Sequence, residues 1–242
     1  MGISEENIAL SLERLRATRD RMLVVAHRGS SGRAPENTLA AFEMALEQGS
    51  DMIECDVRLT KDGEVVVFHD RTLNRTTNGR GRVDEWTLED LMKLDAGSWF
   101  SSKFKGERIP TLSEVLRLLN SRAYLNIELK SESIRRREFA PLQERVLQTI
   151  KDHHAERRVF LGSFNHRLVR VIKERNPQLM TAVIYKATRD FPFLPSRLVS
   201  RAKANAFVCG RWWLRRGLLT DVRNHQIPFF VYTINNEHEV EK

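Results

Sequence analysis

Short β-branched runs alternate with stretches of helical period from residue 22 onward, and this alternation leaves the chain few folds. The runs are MLVVA (22–26), DMIECDV (51–57), AYLNIEL (123–129), RRVFLGS (157–163), LMTAVIY (179–185), NAFVCG (205–210) and PFFVYT (228–233). Between them, helical spacing covers Thr38–Gln48, Leu112–Leu119, Phe139–His153, His166–Glu174, Ser196–Ala204 and Trp213–Asn224. Strands that are apolar on both faces and alternate with helices predict a parallel sheet covered on both sides. Seven such units in series predict an α/β fold of the (β/α) barrel kind rather than an open sheet. A chain of 242 residues with a hydrophobic fraction of 41% is long enough and apolar enough for one such domain.

The stretch ECDVRLTKDGEVVVFHD breaks the alternation. Asp62-Gly63 is a two-residue hairpin signal. A turn there pairs Lys61 with Glu64 and places Asp56 opposite His69. Residues 71–110, rich in Thr, Gly, Asn and Asp, read as an insertion over one face of the barrel. Residues 1–21 read as an amphipathic amino-terminal helix, with Ile8, Leu12 and Leu15 on one side, ahead of a barrel over 22–242. Outside the hairpin the count is seven strands, so the expectation is a barrel short of its last strand unless the hairpin arm takes that place.

Composition removes several classes of function. The longest apolar runs are too short to span a bilayer, and the amino terminus lacks the order of a secretory leader. The expectation is a cytoplasmic protein, with peripheral contact to a membrane left open. Cys55 and Cys209 lie in strand-like contexts without metal-finger spacing, as reduced core residues do. The net charge of +8 is spread along the chain, with local clusters at SIRRREF and RWWLRRG and no nucleic-acid-binding signature, and fits general solvation, an acidic ligand or a membrane surface rather than nucleic acid. Trp86, Trp99, Phe100 and Phe104 suit either packing of the insertion or a lipid surface. Of Trp212 and Trp213, one is expected in the core.

The chemistry-bearing residues sit at strand ends. Glu54 and Asp56, two apart on a strand, face the same way, as do Glu128 and Lys130 at the end of another. Carboxylates crowded on an inward face repel unless a cation compensates. Three of them from neighbouring strands make an oxygen-rich pocket suited to Mg²⁺ or Ca²⁺. His27 and His69 can move protons near neutral pH, and Arg28 and Lys130 add fixed positive charge suited to phosphate oxygens. Together these describe a phosphoryl site. Pro35, Glu36, Asn37 and Thr38 read mainly as a helix start, with Asn37 or Thr38 as its cap. Asp70 either orients His69 or caps the loop.

The segments AHRGSSGRAPENTLAAF, IECDVRLTKDGEVVVFHD and LNIELK, in this order and spacing, resemble the glycerophosphodiester phosphodiesterases, and the resemblance runs from about Leu23 to the end. It implies an irregular TIM barrel and hydrolysis of a glycerophosphodiester to glycerol 3-phosphate and an alcohol. It implies that Glu54, Asp56 and Glu128 bind one divalent cation, that His27 and His69 are the acid–base pair, and that Arg28 and Lys130 hold the phosphate. Members of the family take either small head-group diesters or, as lysophospholipase D enzymes, lysolipids that yield lysophosphatidic acid. The family has a further segment after its VYTIN region. Its absence here carries the expectation of an incomplete barrel, with a catalytically silent form as the alternative.

Overall fold

Residues Met52–Leu59 form a strand buried at seven of its eight positions, although it carries Glu54, Asp56 and Arg58. Such a strand is stable only with partners on both edges and charges that answer one another. The computed structural model supplies both; it describes residues 22–120, 122–130, 140–236 and 239. The chain divides into two compact units, with the boundary after Phe160. The expected helix at 1–21 lies outside the described residues.

In the first unit, β1 (Val25–His27), β2 (Met52–Leu59) and β4 (Tyr124–Leu129) run parallel, with β2 in the middle. Helix α1 (Leu39–Glu47) links β1 to β2, and α3 (Leu112–Leu119) leads into β4. Thr38, not Asn37, caps α1: its hydroxyl accepts from the Ala41 N–H. Asn37 sits at φ 59° with its side chain committed elsewhere, which leaves the cap to its neighbour. Gly29, at φ 77°, lets the chain turn against α1, since a Cβ there would lie 2.7 Å from the Ala41 carbonyl oxygen. Helix α3 starts with a reciprocal capping box between Thr111 and Glu114. Helix α4 (Ala140–Asp152) follows β4.

The hairpin forms, but one residue out of the expected register. β3 (Val65–Val67) pairs antiparallel to β2 with Val57 opposite Val67 and Leu59 opposite Val65. The turn therefore holds three residues, Lys61 to Gly63, rather than two. The Thr60 and Glu64 main chains bond across it, and Gly63 takes φ 82°. This is the three-residue loop with a left-handed glycine that competes with the two-residue turn for the same dipeptide. Asp56 consequently lies opposite Phe68, whose N–H donates to the Asp56 carbonyl oxygen. The chain leaves the strand just after, with the His69 carbonyl oxygen gripped by Arg58 Nε and Nη2 at 3.0 and 2.6 Å.

The insertion packs on the outer arm of this hairpin. Leu73, Val83, Leu91, Ala96 and Ile109 bury with Val66 and Phe68, and Trp86 packs on their edge. Short helix α2 (Leu88–Leu91) lies within it. Trp99, Phe100 and Phe104 stack edge to face. Packing thus accounts for Trp86, Phe100 and Phe104, and Trp99 stays 41% exposed.

In the second unit, β6 (Met180–Ile184), β7 (Ala206–Gly210) and β8 (Phe229–Tyr232) run parallel with β7 central. Strand β5 (Val159–Ser163) crosses the unit boundary. Helices α5 (His166–Arg175), α7 (Pro195–Ala202) and α8 (Arg216–Asn224) place Val169, Leu198, Val199, Ala202 and Val222 against Val183, Phe207 and Cys209. A four-residue helix, α6 (Ala187–Asp190), follows β6. Both cysteines are buried and free, as expected. Neither Trp212 nor Trp213 enters the core, contrary to expectation: they are 78% and 39% exposed. They lie on a 3₁₀ turn (Arg211–Trp213) between β7 and α8, where no strand or helix face directs them inward.

Candidate active site

The register of β1, β2 and β4 assembles the site. His27 lies level with Glu54, Glu54 with Asn126, and Asp56 with Glu128. Glu54, Asp56 and Glu128 each offer a carboxylate oxygen within 4.8 Å of the others, all three residues being buried. Among the described residues, no other cluster of three or more His, Cys, Asp or Glu is so arranged.

Two cations answer the three carboxylates. Lys130 Nζ lies 2.8 Å from Asp56 Oδ1 and also bonds Glu128. Arg28 Nε lies 3.3 Å from Asp56 Oδ2, and its Nη1 reaches Glu36 at 2.9 Å. Burial pushes Asp56 up, but Lys130 and Arg28 outweigh it and hold the group at about 2. Glu54 has no such partner. It accepts from the Arg28 main-chain N–H at 2.9 Å, and burial with the neighbouring Asp56 and Glu128 charges drives its pKa well above the usual range. The pocket thus holds three carboxyl groups against two fixed cations, and its donors are hard oxygens. That is the donor set Mg²⁺ and Ca²⁺ prefer, so the residues fit a divalent cation.

The two histidines sit in different surroundings. Burial and then the Arg28 charge lower His27 to about 4, so its imidazole is neutral at pH 7. Burial also lowers His69, while Asp56 and a 2.6 Å hydrogen bond between His69 Nδ1 and Asp70 Oδ1 work in the opposite sense. A cleft of about 270 Å³ opens beside His69, lined by Arg58, Asp70, Arg71, Thr72 and Lys130. All seven residues expected from the sequence therefore lie in one region of the first unit.

Four others were not singled out for it. Asn37 Nδ2 donates to Asp56 Oδ2 at 2.8 Å, so Asn37 does more than start a helix. Arg58 fixes the His69 main chain, and Glu36 bonds the Arg28 guanidinium. Arg75 forks between two carboxylates: Nε to Asp70 at 2.6 Å, and Nη1 and Nη2 to Glu36 at 2.9 and 2.7 Å. It thereby ties the partner of His69 to the partner of Arg28. Burial raises the Asp70 carboxyl, yet the Arg75 and His69 hydrogen bonds hold it at about 2. Glu36 and Arg75 are 39 residues apart, and Arg75 was not singled out in the sequence. Arg75→Met is expected to lower kcat/KM by about 10- to 100-fold, as loss of a supporting hydrogen-bond partner does. Arg75→Lys should recover only part of this, because an ammonium cannot fork to both carboxylates. Wild-type kinetics in Arg75→Met would remove this role.

A family model described as the glycerophosphoryl diester phosphodiesterase family matches residues 27–242. The chain belongs to the glycerophosphoryl diester phosphodiesterase family. It is 40% identical over 221 residues to a glycerophosphodiester phosphodiesterase of Caldanaerobacter subterraneus, covering 91% of this chain and 88% of that one. A Bacillus subtilis glycerophosphodiester phosphodiesterase is 34% identical over 239 residues, covering 92% and 80%. Among solved structures, the Agrobacterium tumefaciens glycerophosphodiester phosphodiesterase matches with a TM-score of 0.78 at 32% identity, covering 91% of this chain and 90% of that one. An Oleispira antarctica phosphodiesterase, solved with the product sn-glycerol-3-phosphate, matches at 0.83 and 30% identity, covering 93% and 90%. The fold class is accordingly α/β, of the TIM-barrel type, and this phosphodiesterase is a phosphoric diester hydrolase.

Proposed function

We propose that this phosphodiesterase hydrolyses small glycerophosphodiesters to glycerol 3-phosphate and an alcohol, with one divalent cation, Mg²⁺ or Ca²⁺, held by Glu54, Asp56 and Glu128. The observation that carries the reading is the cluster of three buried carboxylates, within 4.8 Å of one another, in the same site as His27 and His69. When bound, the cation supplies Lewis-acid charge for the phosphate oxygens and the attacking hydroxyl. Glycerol 3-phosphate as the product of the Oleispira antarctica relative supports the substrate class.

Arg28 and Lys130 bind the phosphate oxygens. His27, neutral at pH 7, takes the proton from the glycerol 2-hydroxyl as that oxygen bonds to phosphorus. His69, oriented by the Asp70 carboxylate at its Nδ1, gives its proton to the departing alcohol as the P–O bond breaks. The cyclic phosphate so formed is opened by water with the two roles exchanged.

A lysophospholipase D reaction on lysolipids uses the same groups and differs only in what lies beyond the phosphodiester. Among the described residues, no helix is long and apolar enough to cross a membrane. The deciding assay follows glycerol 3-phosphate from glycerophosphocholine and choline from lysophosphatidylcholine, side by side. Faster turnover of the first supports the small-diester reading. Preference for the second assigns the lysolipid reaction, and turnover of neither contradicts both.

A further inference from the structure

The second unit carries an aromatic and basic surface that the hydrolytic chemistry does not use. Strands β6 and β7 are parallel neighbours, with Ile184 level with Val208, so the loops leaving their carboxyl ends emerge side by side. The first loop exposes Phe191 and Leu194, at 66% and 46%, and the second exposes Trp212 and Trp213. Several large apolar side chains exposed on adjacent loops are the kind of surface that marks an interaction site.

The exposed charge around them is mostly basic, and the Glu239 carboxylate at the edge is paired with Arg211. Lys186, Arg189, Arg215 and Arg216 are exposed in the same two loops, and Arg211 lies 4.1 Å from the centre of the Trp212 ring. Arg197 and Arg201 of α7 flank the Phe193 ring at 4.8 and 5.5 Å. The one acid within 185–194 and 210–216 is Asp190. It is 4% exposed, and it is held by the Lys186 N–H and the Arg189 guanidinium, so it presents no negative charge outward.

We propose that the loops after β6 and β7 dock the protein on an anionic lipid surface. Indole rings of Trp settle at the boundary between headgroups and acyl chains, where an apolar body and a polar N–H are both satisfied. Phe191 and Leu194 add apolar side chains, and the Lys and Arg side chains meet lipid phosphates. Nucleic acid would also attract the cations, but an exposed leucine between aromatics gains nothing from phosphate or base edges. The lipid surface is the occupant that matches both halves of the patch.

The test is flotation of the full chain with vesicles of phosphatidylglycerol and phosphatidylcholine, against phosphatidylcholine alone, with duplex and single-stranded DNA as competitors. Binding to the anionic vesicles is expected, weakened by high salt, with Trp fluorescence quenched by brominated acyl chains. Phe191→Ala/Trp212→Ala and Arg215→Glu/Arg216→Glu should each lower the bound fraction at least tenfold, with melting temperatures unchanged because these side chains are exposed. Absence of binding to anionic vesicles overturns the proposal. So does binding by both variants that equals that of the unsubstituted chain, or binding to DNA that the same substitutions remove while vesicle binding persists. The readout is binding rather than turnover, so this result stands apart from the hydrolytic reading.

Discussion

Glu54→Gln is expected to abolish turnover and, without added cations, to raise the melting temperature. The two effects have one cause. At the 4.8 Å that bounds the carboxylate separations, two charges repel by about 3 kcal/mol at an effective dielectric constant of about 20. Asp56 and Glu128 have Lys130 as a direct partner, whereas Glu54 accepts from the Arg28 main-chain N–H and otherwise meets His27 Nε2 at 4.0 Å, an imidazole that is neutral at pH 7. A carboxyl whose folded pKa is raised loses stability as pH climbs above its unfolded value, so at pH 7 Glu54 is a net cost. Glutamine keeps the acceptor for the Arg28 N–H and removes the charge. Each kcal/mol so recovered corresponds to about 2–4 °C for a chain of this size. Cation binding loses a ligand at the same time, and with it several kcal/mol of transition-state stabilisation, so kcat/KM should fall by about 10³-fold or more. A destabilised yet active Glu54→Gln enzyme would refute this reading.

His27→Ala and His69→Ala are each expected to lower kcat by about 10²- to 10⁴-fold, the range for loss of a general acid or base. The two should separate by pH. A base must be deprotonated, and His27 is held at about 4 by burial and Arg28. It therefore stays competent far below the ordinary histidine range. An acid must be protonated, so activity that depends on His69 declines as pH rises through its pKa. Burial lowers that value, and the Asp70 hydrogen bond raises it. Asp70→Asn removes the raising influence and should move the alkaline limb of kcat/KM to lower pH. An unmoved limb would assign the acid role to another group.

Much of the site was legible because strand geometry is simple. Residues two apart share a face, so Glu54 with Asp56, and Glu128 with Lys130, were readable as pairs from spacing alone. The level alignment of Asp56 with Glu128 was not, since it depends on which strands become neighbours. The hairpin slipped by one residue because Asp-Gly serves both two-residue and three-residue turns, and the choice rests on the Thr60 and Glu64 main chains. His69 reached the site all the same, held by Arg58 rather than by the ladder. The Arg75 bridge was invisible because its partner Glu36 lies on the far side of two strands in sequence, and no local pattern links them. Trp212 and Trp213 misled for the opposite reason: their hydrophobicity suggested burial, while the turn that carries them has no inward face.

The most direct test of the central claim is a paired titration of Mg²⁺ and Ca²⁺ into chelator-treated protein, following melting temperature and release of glycerol 3-phosphate from glycerophosphocholine together. One of the cations should raise the melting temperature and restore turnover over the same concentration range, and both responses should vanish in Glu54→Gln. Full turnover in the presence of chelator, or a thermal shift that survives in Glu54→Gln, would contradict the assignment of Glu54, Asp56 and Glu128 as the cation site.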